Sequence, residues 1–168
     1  MVAVGTETWR RTPGQGKYAK PERERRFLVT GTPEPLEQSR LIEDRYLDGG
    51  TLRVRAVRGE GEPVFKLTQK VRPDVDDPSI VAITNLYLSE DEYRMLVALP
   101  GADLVKTRSL CAGFAVDVFH GPLAGLVLAE VEVEDLEADL VLPAWLGAEV
   151  TRDDRYSGGA LAAGRAVI

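Results

Sequence analysis

The sequence has very few of the residues that build common metal centres and nucleophilic sites. Its 168 residues include one cysteine, Cys111, and one histidine, His120. A single cysteine excludes an intrachain disulfide and a cysteine zinc site. A single histidine disfavours a histidine-based triad or a histidine-rich metal site. Catalytic chemistry in this chain is therefore expected from carboxylates, amines, guanidinium groups or hydroxyls.

Long apolar runs are also missing. No segment approaches the roughly 20 apolar residues of a membrane span, and the first residues lack a signal-peptide core. We therefore expect a cytoplasmic protein with no membrane partner. The net charge of −6 disfavours nucleic-acid binding, although 21 Lys and Arg residues leave room for a local basic site. The length predicts one domain over 20–168, preceded by a flexible tail over 1–19.

Charged and apolar residues alternate along most of the chain. Side chains of a β-strand point to opposite faces in turn, so the opening segment places Glu22, Glu24 and Arg26 on one face. The segments between turn signals are too close together for helical crossovers, which favours an antiparallel sheet or barrel. The predicted strands are 22–29, 41–47, 51–58, 64–71, 80–88, 104–110, 113–119 and 127–134. A helical turn is predicted at 36–40, a helix capped by Ser89 and Glu92 follows the fifth strand, and the region from 135 is predicted to be partly helical.

Most of these strands carry charges of a single sign on one face. The basic strands contribute Arg53, Arg55, Lys66, Lys70, Lys106 and Arg108, and the acidic strands contribute Glu22, Glu24, Glu130, Glu132 and Glu134. Two interpretations are open. The charges face solvent from an open sheet, or they line the lumen of a barrel, since about eight strands enclose room for one small ligand. A lumen with an acidic and a basic wall would suit a divalent metal ion together with a polyanion.

The order of these motifs resembles the triphosphate tunnel metalloenzymes, also called the CYTH domain superfamily. Their opening signature is Glu-x-Glu-x-Lys followed by Phe-Leu-Val, which this chain matches at 22–29 with Arg26 in place of the lysine. The resemblance covers about residues 20–162. Its further elements are Tyr46-Leu47, Arg53-Val54-Arg55, the strand 65–70, Lys106-Thr107-Arg108, the segment 117–126, Ala129-Glu130-Val131-Glu132 and the segment 151–157.

The resemblance implies an α+β fold, mainly β: an eight-stranded antiparallel closed barrel with a few peripheral helices. Such a tunnel holds a triphosphate and one or two divalent metal ions, Mg²⁺ or Mn²⁺. The implied substrate-binding residues are Arg26, Arg53, Arg55, Lys66, Lys70, Lys106 and Arg108, of which Lys70 and Lys106 are candidates for the tunnel mouth. The implied metal ligands are Glu22, Glu24, Glu130 and Glu132, with Asp117 and Glu134 as further candidates. Glu22, Glu24 and Arg26 are the implied catalytic residues.

The function implied first is a metal-dependent hydrolase of inorganic triphosphate or a related triphosphate, acting as a monomer or homodimer. The alternatives are a class IV-type adenylate cyclase, a thiamine triphosphatase, or a non-catalytic polyphosphate- or nucleotide-binding protein. Two departures from the family pattern predict an altered metal site. Arg26 cannot titrate as a lysine can. Where some members carry glutamates, this chain has Thr84 and Asn85, and its nearby acids are Asp74, Asp76 and Asp77 in the preceding loop.

Overall fold

The computed structural model describes residues 12–72 and 80–164. Within those residues the chain forms nine β-strands, two α-helices and two short 3-10 helices. The strands are β1 Lys20–Val29, β2 Glu37–Leu47, β3 Leu52–Arg58, β4 Val64–Val71, β5 Ile80–Leu88, β6 Gly101–Cys111, β7 Phe114–Phe119, β8 Val127–Glu132 and β9 Leu146–Glu149. The α-helices are α1 Glu90–Val97 and α2 Gly158–Ala162, and the 3-10 helices are Gly121–Leu123 and Asp154–Tyr156.

Strand β1 closes the sheet into a barrel. The antiparallel order β5-β4-β3-β2-β6-β7-β8-β1 ends on a strand that also pairs with β5. The first residues of β1, 20–23, pair with β5, and residues 24–28 pair with β8. The predicted eight-stranded antiparallel closed barrel is confirmed, and β9 is an extra strand that pairs with β1 at Phe27 and Val29.

Two local predictions are wrong. The predicted helical turn at 36–40 is the start of β2, because pairing of Glu37 with Leu110 of β6 overrides the local preference. The register shifts between Glu37 and Arg40, and Gln38 has a φ of 52°, so a bulge accommodates the extra residue. The count of eight strands missed β9, whose four residues, Leu-Gly-Ala-Glu, are too short and too irregular to show alternation.

The bounds of β7 and β8 also differ from the prediction. Ala112 and Gly113 both have positive φ, 50° and 83°, so they form the tight turn between β6 and β7 and the strand begins at Phe114. Strand β8 ends at Glu132, which leaves Glu134 beyond the ladder. Residues 12–19 of the predicted tail form turns before β1. The rest of that tail and the loop acids Asp74, Asp76 and Asp77 lie outside the described residues.

Helix α1 covers the outer surface of the barrel beside β3 and β4. The predicted capping box is confirmed: the Glu92 amide donates to Ser89 Oγ at 3.3 Å, and the Ser89 amide donates to the Glu92 carboxylate at 2.8 Å. The ring of Tyr93 stacks on Phe65 with centroids 4.6 Å apart. Because Phe65 and Lys66 point to opposite faces of β4, this contact turns Lys66 toward the interior.

The lumen is apolar at one end and charged elsewhere. Four apolar side chains, from β1, β6, β7 and β8, lie on the same strand faces as the charged residues: Leu28, Leu104, Phe119 and Leu128. They pack with Leu123, Leu126 and Val150, and with Leu161 of α2. A second apolar cluster on the outer face joins Phe27, Phe114 and Val116 to Trp145. No helix of the described residues is long and apolar enough to cross a membrane.

The apolar end of the lumen should contribute strongly to stability. Leu128 is 1% exposed, so Leu128→Ala should lower the free energy of unfolding by about 2–5 kcal/mol in urea titrations. The control Leu142→Ala changes a side chain that is 49% exposed, and should change that free energy by about 0.5 kcal/mol or less. Equal losses in the two variants would show that the lumen end is not packed as described.

Candidate active site

The charged part of the lumen is a cavity of about 200 Å³. Seven basic side chains and three carboxylates line it together with Tyr46, Asn85, Ile83 and Gly158. The basic residues are Arg26, Arg53, Arg55, Lys66, Lys70, Lys106 and Arg108, and the acidic ones are Glu22, Glu24 and Glu130. All seven residues predicted to bind the substrate, and three of the predicted metal ligands, therefore meet in one cavity. The basic excess is local, because the whole chain has a net charge of −6.

Strand β3 supplies two buried arginines to this cavity. Arg55 donates two hydrogen bonds to Asp44 of β2, from Nε to Oδ1 at 2.6 Å and from Nη2 to Oδ2 at 2.7 Å. Arg53 donates from Nη2 to Thr68 Oγ1 at 3.0 Å, and Thr68 donates in turn to Asn85 at 2.7 Å. Burial alone would raise the pKa of Asp44, but hydrogen bonding and charge from Arg55, together with Arg53, lower it. Asp44 is therefore the counter-ion of Arg55 and also attracts Arg53.

Lys66 of β4 has a weaker local counter-charge than the arginines. Burial, followed by the positive charges of Arg55 and Arg53, lowers the pKa of its amine. Among the described residues it makes no ion pair with a carboxylate. An anion in the cavity would therefore find an amine whose charge is not already neutralised.

Arg26 joins the two acidic strands across the β1–β8 ladder. It donates from Nε to Glu130 Oε1 at 2.8 Å and from Nη2 to Glu24 Oε1 at 2.6 Å. Its backbone amide donates to Thr151 Oγ1 at 2.9 Å, which ties this part of β1 to the chain beyond β9. The alternation predicted from sequence thus places Arg26 inside the barrel, between two carboxylates.

Asp117 anchors the basic side chains of β6. It is fully buried and accepts two hydrogen bonds from Arg108, both at 2.6 Å, and one from Lys106 at 2.5 Å. Arg108 also donates to the Glu130 carboxylate. Lys106 is only 6% exposed, so its placement at the tunnel mouth is wrong: it lies deep, because Asp117 compensates its charge there. Three hydrogen bonds from two basic side chains occupy both oxygens of Asp117, so the geometry favours a supporting role over metal ligation.

The remaining predicted residues lie toward the outside. Lys70 and Glu22 form an ion pair of 3.2 Å, with about a third of each side chain exposed, at the rim of the cavity. Glu132 is exposed and does not line the cavity, and Glu134 lies beyond the end of β8. Their roles as metal ligands stay predictions.

Two lumen residues were not identified as site residues from the sequence. Asp44 and Tyr46 alternate with Glu43 and Arg45 on β2, and the pattern Ile42, Asp44, Tyr46 was the available signal. A second cavity, of about 400 Å³, shares Glu24, Arg26, Tyr46, Lys70 and Gly158 with the first and extends past the turn at Gly49 and Gly50. A Cβ at residue 158 would collide with the Tyr46 hydroxyl, so the glycine there allows α2 to approach the lumen.

The carboxylates suit a metal ion that shares its ligands with substrate. Glu22, Glu24 and Glu130 line the cavity, but no group of three or more His, Cys, Asp or Glu in the described residues is arranged to enclose an ion. Mg²⁺ is usually bound by one or two carboxylates, with phosphate oxygens and water completing its shell. Burial and then the nearby Glu130 raise the pKa of Glu24. A cation bound beside Glu24 would stabilise its charged form and so lower that pKa.

The fold is a closed barrel whose internal cavity is lined by basic side chains and carboxylates. The chain matches no protein-family model. It is 32% identical over 155 residues to the inorganic triphosphatase of Nitrosomonas europaea, covering 84% of this chain and 96% of the relative. It is 51% identical over 143 residues to the inorganic triphosphatase of Acetivibrio thermocellus, covering 80% of this chain and 88% of that protein.

Solved structures agree with these relatives. A crystal structure of the inorganic triphosphatase NE1496 matches with a TM-score of 0.57 and 30% identity, over 84% of this chain and 93% of that chain. Another structure of NE1496 gives a TM-score of 0.58 over 97% of its chain. The chain belongs to the inorganic triphosphatase family.

The raised pKa of Glu24 predicts a stability cost in the metal-free protein. The folded state holds the Glu24 proton to higher pH than the unfolded state, so stability falls as pH rises through this interval. Glu24→Gln should therefore raise the melting temperature at pH 7 in chelator-treated buffer. The gain should disappear near pH 4 or below, where the carboxyl is protonated in both states.

The matched control is Glu60→Gln, which removes an equally charged group from an exposed hairpin. It should leave the melting temperature almost unchanged at both pH values. A Glu24→Gln variant that is less stable than the parent at pH 7 would mean that the Arg26 contact outweighs the crowding of carboxylates.

Proposed function

We propose that this protein is a triphosphate tunnel metalloenzyme of the CYTH type that hydrolyses inorganic triphosphate. The observation that carries the proposal is the lumen, where seven basic side chains and three carboxylates surround about 200 Å³. Triphosphate carries about four or five negative charges near neutral pH. The phosphate groups could pair with successive basic residues of one wall, while a metal ion bound to them contacts the carboxylates of the other wall. The relatives named inorganic triphosphatase support the same substrate.

The size of the cavity favours an inorganic substrate. Pockets that enclose drug-sized organic ligands usually measure about 300–1,000 Å³. The charged cavity is smaller, about 200 Å³, and the larger, outer chamber beside it shares Glu24, Arg26 and Lys70 with it. A nucleoside or thiamine group would have to occupy that outer chamber. A bare triphosphate needs only the inner one.

The basic residues would act mainly by positioning and by neutralising charge. Guanidinium forks match phosphate oxygens in pairs, and a lysine supplies a compact charge. Arg53 and Arg55 both line the cavity, and Thr68 and Asp44 hold their guanidinium groups there. Holding the phosphates in line for attack and neutralising the transferring phosphoryl group lower the barrier together.

The acidic wall would hold the metal ion. Glu22, Glu24 and Glu130 are the candidate ligands that line the cavity. When bound, Mg²⁺ or Mn²⁺ would supply Lewis acidity and positive charge to the phosphates. Arg26 would stay between Glu24 and Glu130, where its two ion pairs offset the repulsion between the carboxylates.

A substrate panel tests the proposed activity. The protein is incubated with tripolyphosphate, ATP or thiamine triphosphate, each with Mg²⁺ or Mn²⁺, and phosphate, pyrophosphate and cyclic AMP are measured. We expect phosphate release from tripolyphosphate with at least one metal. Glu22→Gln and Glu24→Gln should lose this turnover while remaining folded, because each removes a proposed metal ligand.

The outcomes of the panel separate the possible functions. Cyclic AMP with pyrophosphate from ATP would indicate a cyclase, and preferred hydrolysis of thiamine triphosphate would indicate that specificity. Thermal stabilisation by tripolyphosphate without product would indicate a binding protein. Turnover near that of the parent in both glutamine variants would overturn the metal-ligand assignment.

The basic wall makes a separate prediction. Arg53→Ala should weaken tripolyphosphate binding about tenfold or more, since it removes a charge-assisted contact in a buried site. Binding of orthophosphate should weaken less, because a single phosphate need not reach this arginine. Isothermal titration calorimetry measures both. The control Arg45→Ala removes an arginine that pairs with exposed Asp103 outside the lumen, and should leave both affinities unchanged.

A further inference from the structure

Asp44 is a buried carboxylate that holds two of the lumen arginines. We propose that Asp44 is a positioning residue for triphosphate hydrolysis, which fixes Arg55 and Arg53 in the orientation that receives the phosphate chain. The inference rests on the proposed function, and it adds a residue that is not among the proposed contacts of the substrate or of the metal ion.

The first support is the geometry of the pair. Asp44 on β2 lies directly opposite Arg55 on β3, so the barrel ladder sets their separation. Both Asp44 oxygens accept from one edge of the guanidinium group, at 2.6 and 2.7 Å. Asp44 is 3% exposed and Arg55 is 8% exposed. A bidentate pair fixes the plane of the guanidinium, because both of its hydrogen bonds must be kept at once.

The second support is the contact between Asp44 and Arg53. Asp44 Oδ1 lies 3.6 Å from Arg53 Nε, close enough to attract its charge but too far to accept a hydrogen bond. Arg53 Nε is buried and has no hydrogen-bond partner among the described residues. Thr68 meanwhile holds the Nη2 end of the same group at 3.0 Å. Arg53 is thus held at one end by the Thr68 hydrogen bond and at the other by attraction to Asp44.

The third support is the charge on these strands. Arg53, Arg55 and Lys66 lie on neighbouring strands, and the two arginines help to lower the pKa of Lys66, after burial. Like charges this close together repel one another. Asp44 forms ion pairs with both arginines, so without it the side chains would separate or turn toward water. The Asp44 carboxylate therefore reduces the repulsion among three basic side chains in the cavity.

Replacing Asp44 by asparagine should separate orientation from charge. The amide keeps the shape of the side chain, but only one of its ends accepts hydrogen bonds, so the Arg55 fork loses its bidentate partner. The wall also becomes more positive, which offsets the loss of order in ground-state binding. We expect kcat for tripolyphosphate to fall about tenfold or more, while the dissociation constant changes by about threefold or less.

A matched control and a double-mutant cycle test the inference. Asp103→Asn breaks another aspartate–arginine pair of the barrel, in which Arg45 Nη1 contacts both Asp103 oxygens on the exposed outer surface, and it should leave kcat unchanged. Combining Asp44→Asn with Arg55→Ala should lower kcat by less than the product of the two single effects, since part of the effect of Asp44 passes through Arg55. A purely structural role would lower the melting temperature and leave kcat per folded molecule unaltered.

Several results would overturn the inference. One is a kcat of Asp44→Asn equal to that of the parent. Another is a double variant whose loss of kcat equals the product of the losses in Asp44→Asn and Arg55→Ala. If Asp44→Asn does not fold, Asp44→Glu decides: it keeps the charge but moves the carboxylate by one methylene, and a kcat equal to that of the parent would exclude precise positioning. Absence of phosphate release by the parent itself would overturn the proposed function as well, and so is distinguished from failure of Asp44 alone.

Discussion

The structure depends on neutralising a group of cations inside a small barrel. Arginines and lysines from β1, β3, β4 and β6 converge on one cavity, and such charges are costly to remove from water unless they are paired. Asp44, Asp117 and Glu130 provide the pairing, each by hydrogen bonds to at least one basic side chain. Buried ion pairs of this kind contribute little net stability, so their presence is better explained by the polyanion that they prepare to bind.

Closure of the barrel is what makes these pairs possible. Strand β1 divides its length between β5 and β8, and the charged faces of the other strands then point into one lumen. The enclosure also sets two opposite environments for carboxylates. Burial alone would raise the pKa of Glu130, but Arg26, Lys106 and Arg108 lower it well below its usual range. Glu24 keeps a raised pKa, because burial and Glu130 outweigh Arg26 and Lys70.

An apolar cluster and a second, outer chamber lie beside the charged cavity. Leu28, Leu104, Phe119 and Leu128 pack with Leu161 of α2, and the second chamber adjoins them, lined by the turn after β2 and by Gly158 and Gly159 of α2. Arg26 and Lys70 line both chambers. Both lysines were candidates for the tunnel mouth. Lys106 lies deep, where Asp117 compensates its charge, and Lys70 lies at the rim beside Glu22.

Alternation along a strand is a local property that needs no partner, so the order of the amino acids was enough to predict most strands and their charged faces. The Arg53–Arg55, Lys106–Arg108 and Glu22–Glu24 pairs were predictable on this ground. Alternation alone left open whether those faces point to solvent or into a lumen, and the family resemblance implied the lumen. Which charges meet one another depends instead on the folded barrel. Asp44 reaches Arg55 across the β2–β3 ladder, Asp117 reaches Lys106 and Arg108 across β6–β7, and Glu132 falls outside the cavity. Strand register, the bulge at Gln38 and the extra strand β9 arise from pairing between distant segments, which no local pattern of residues encodes.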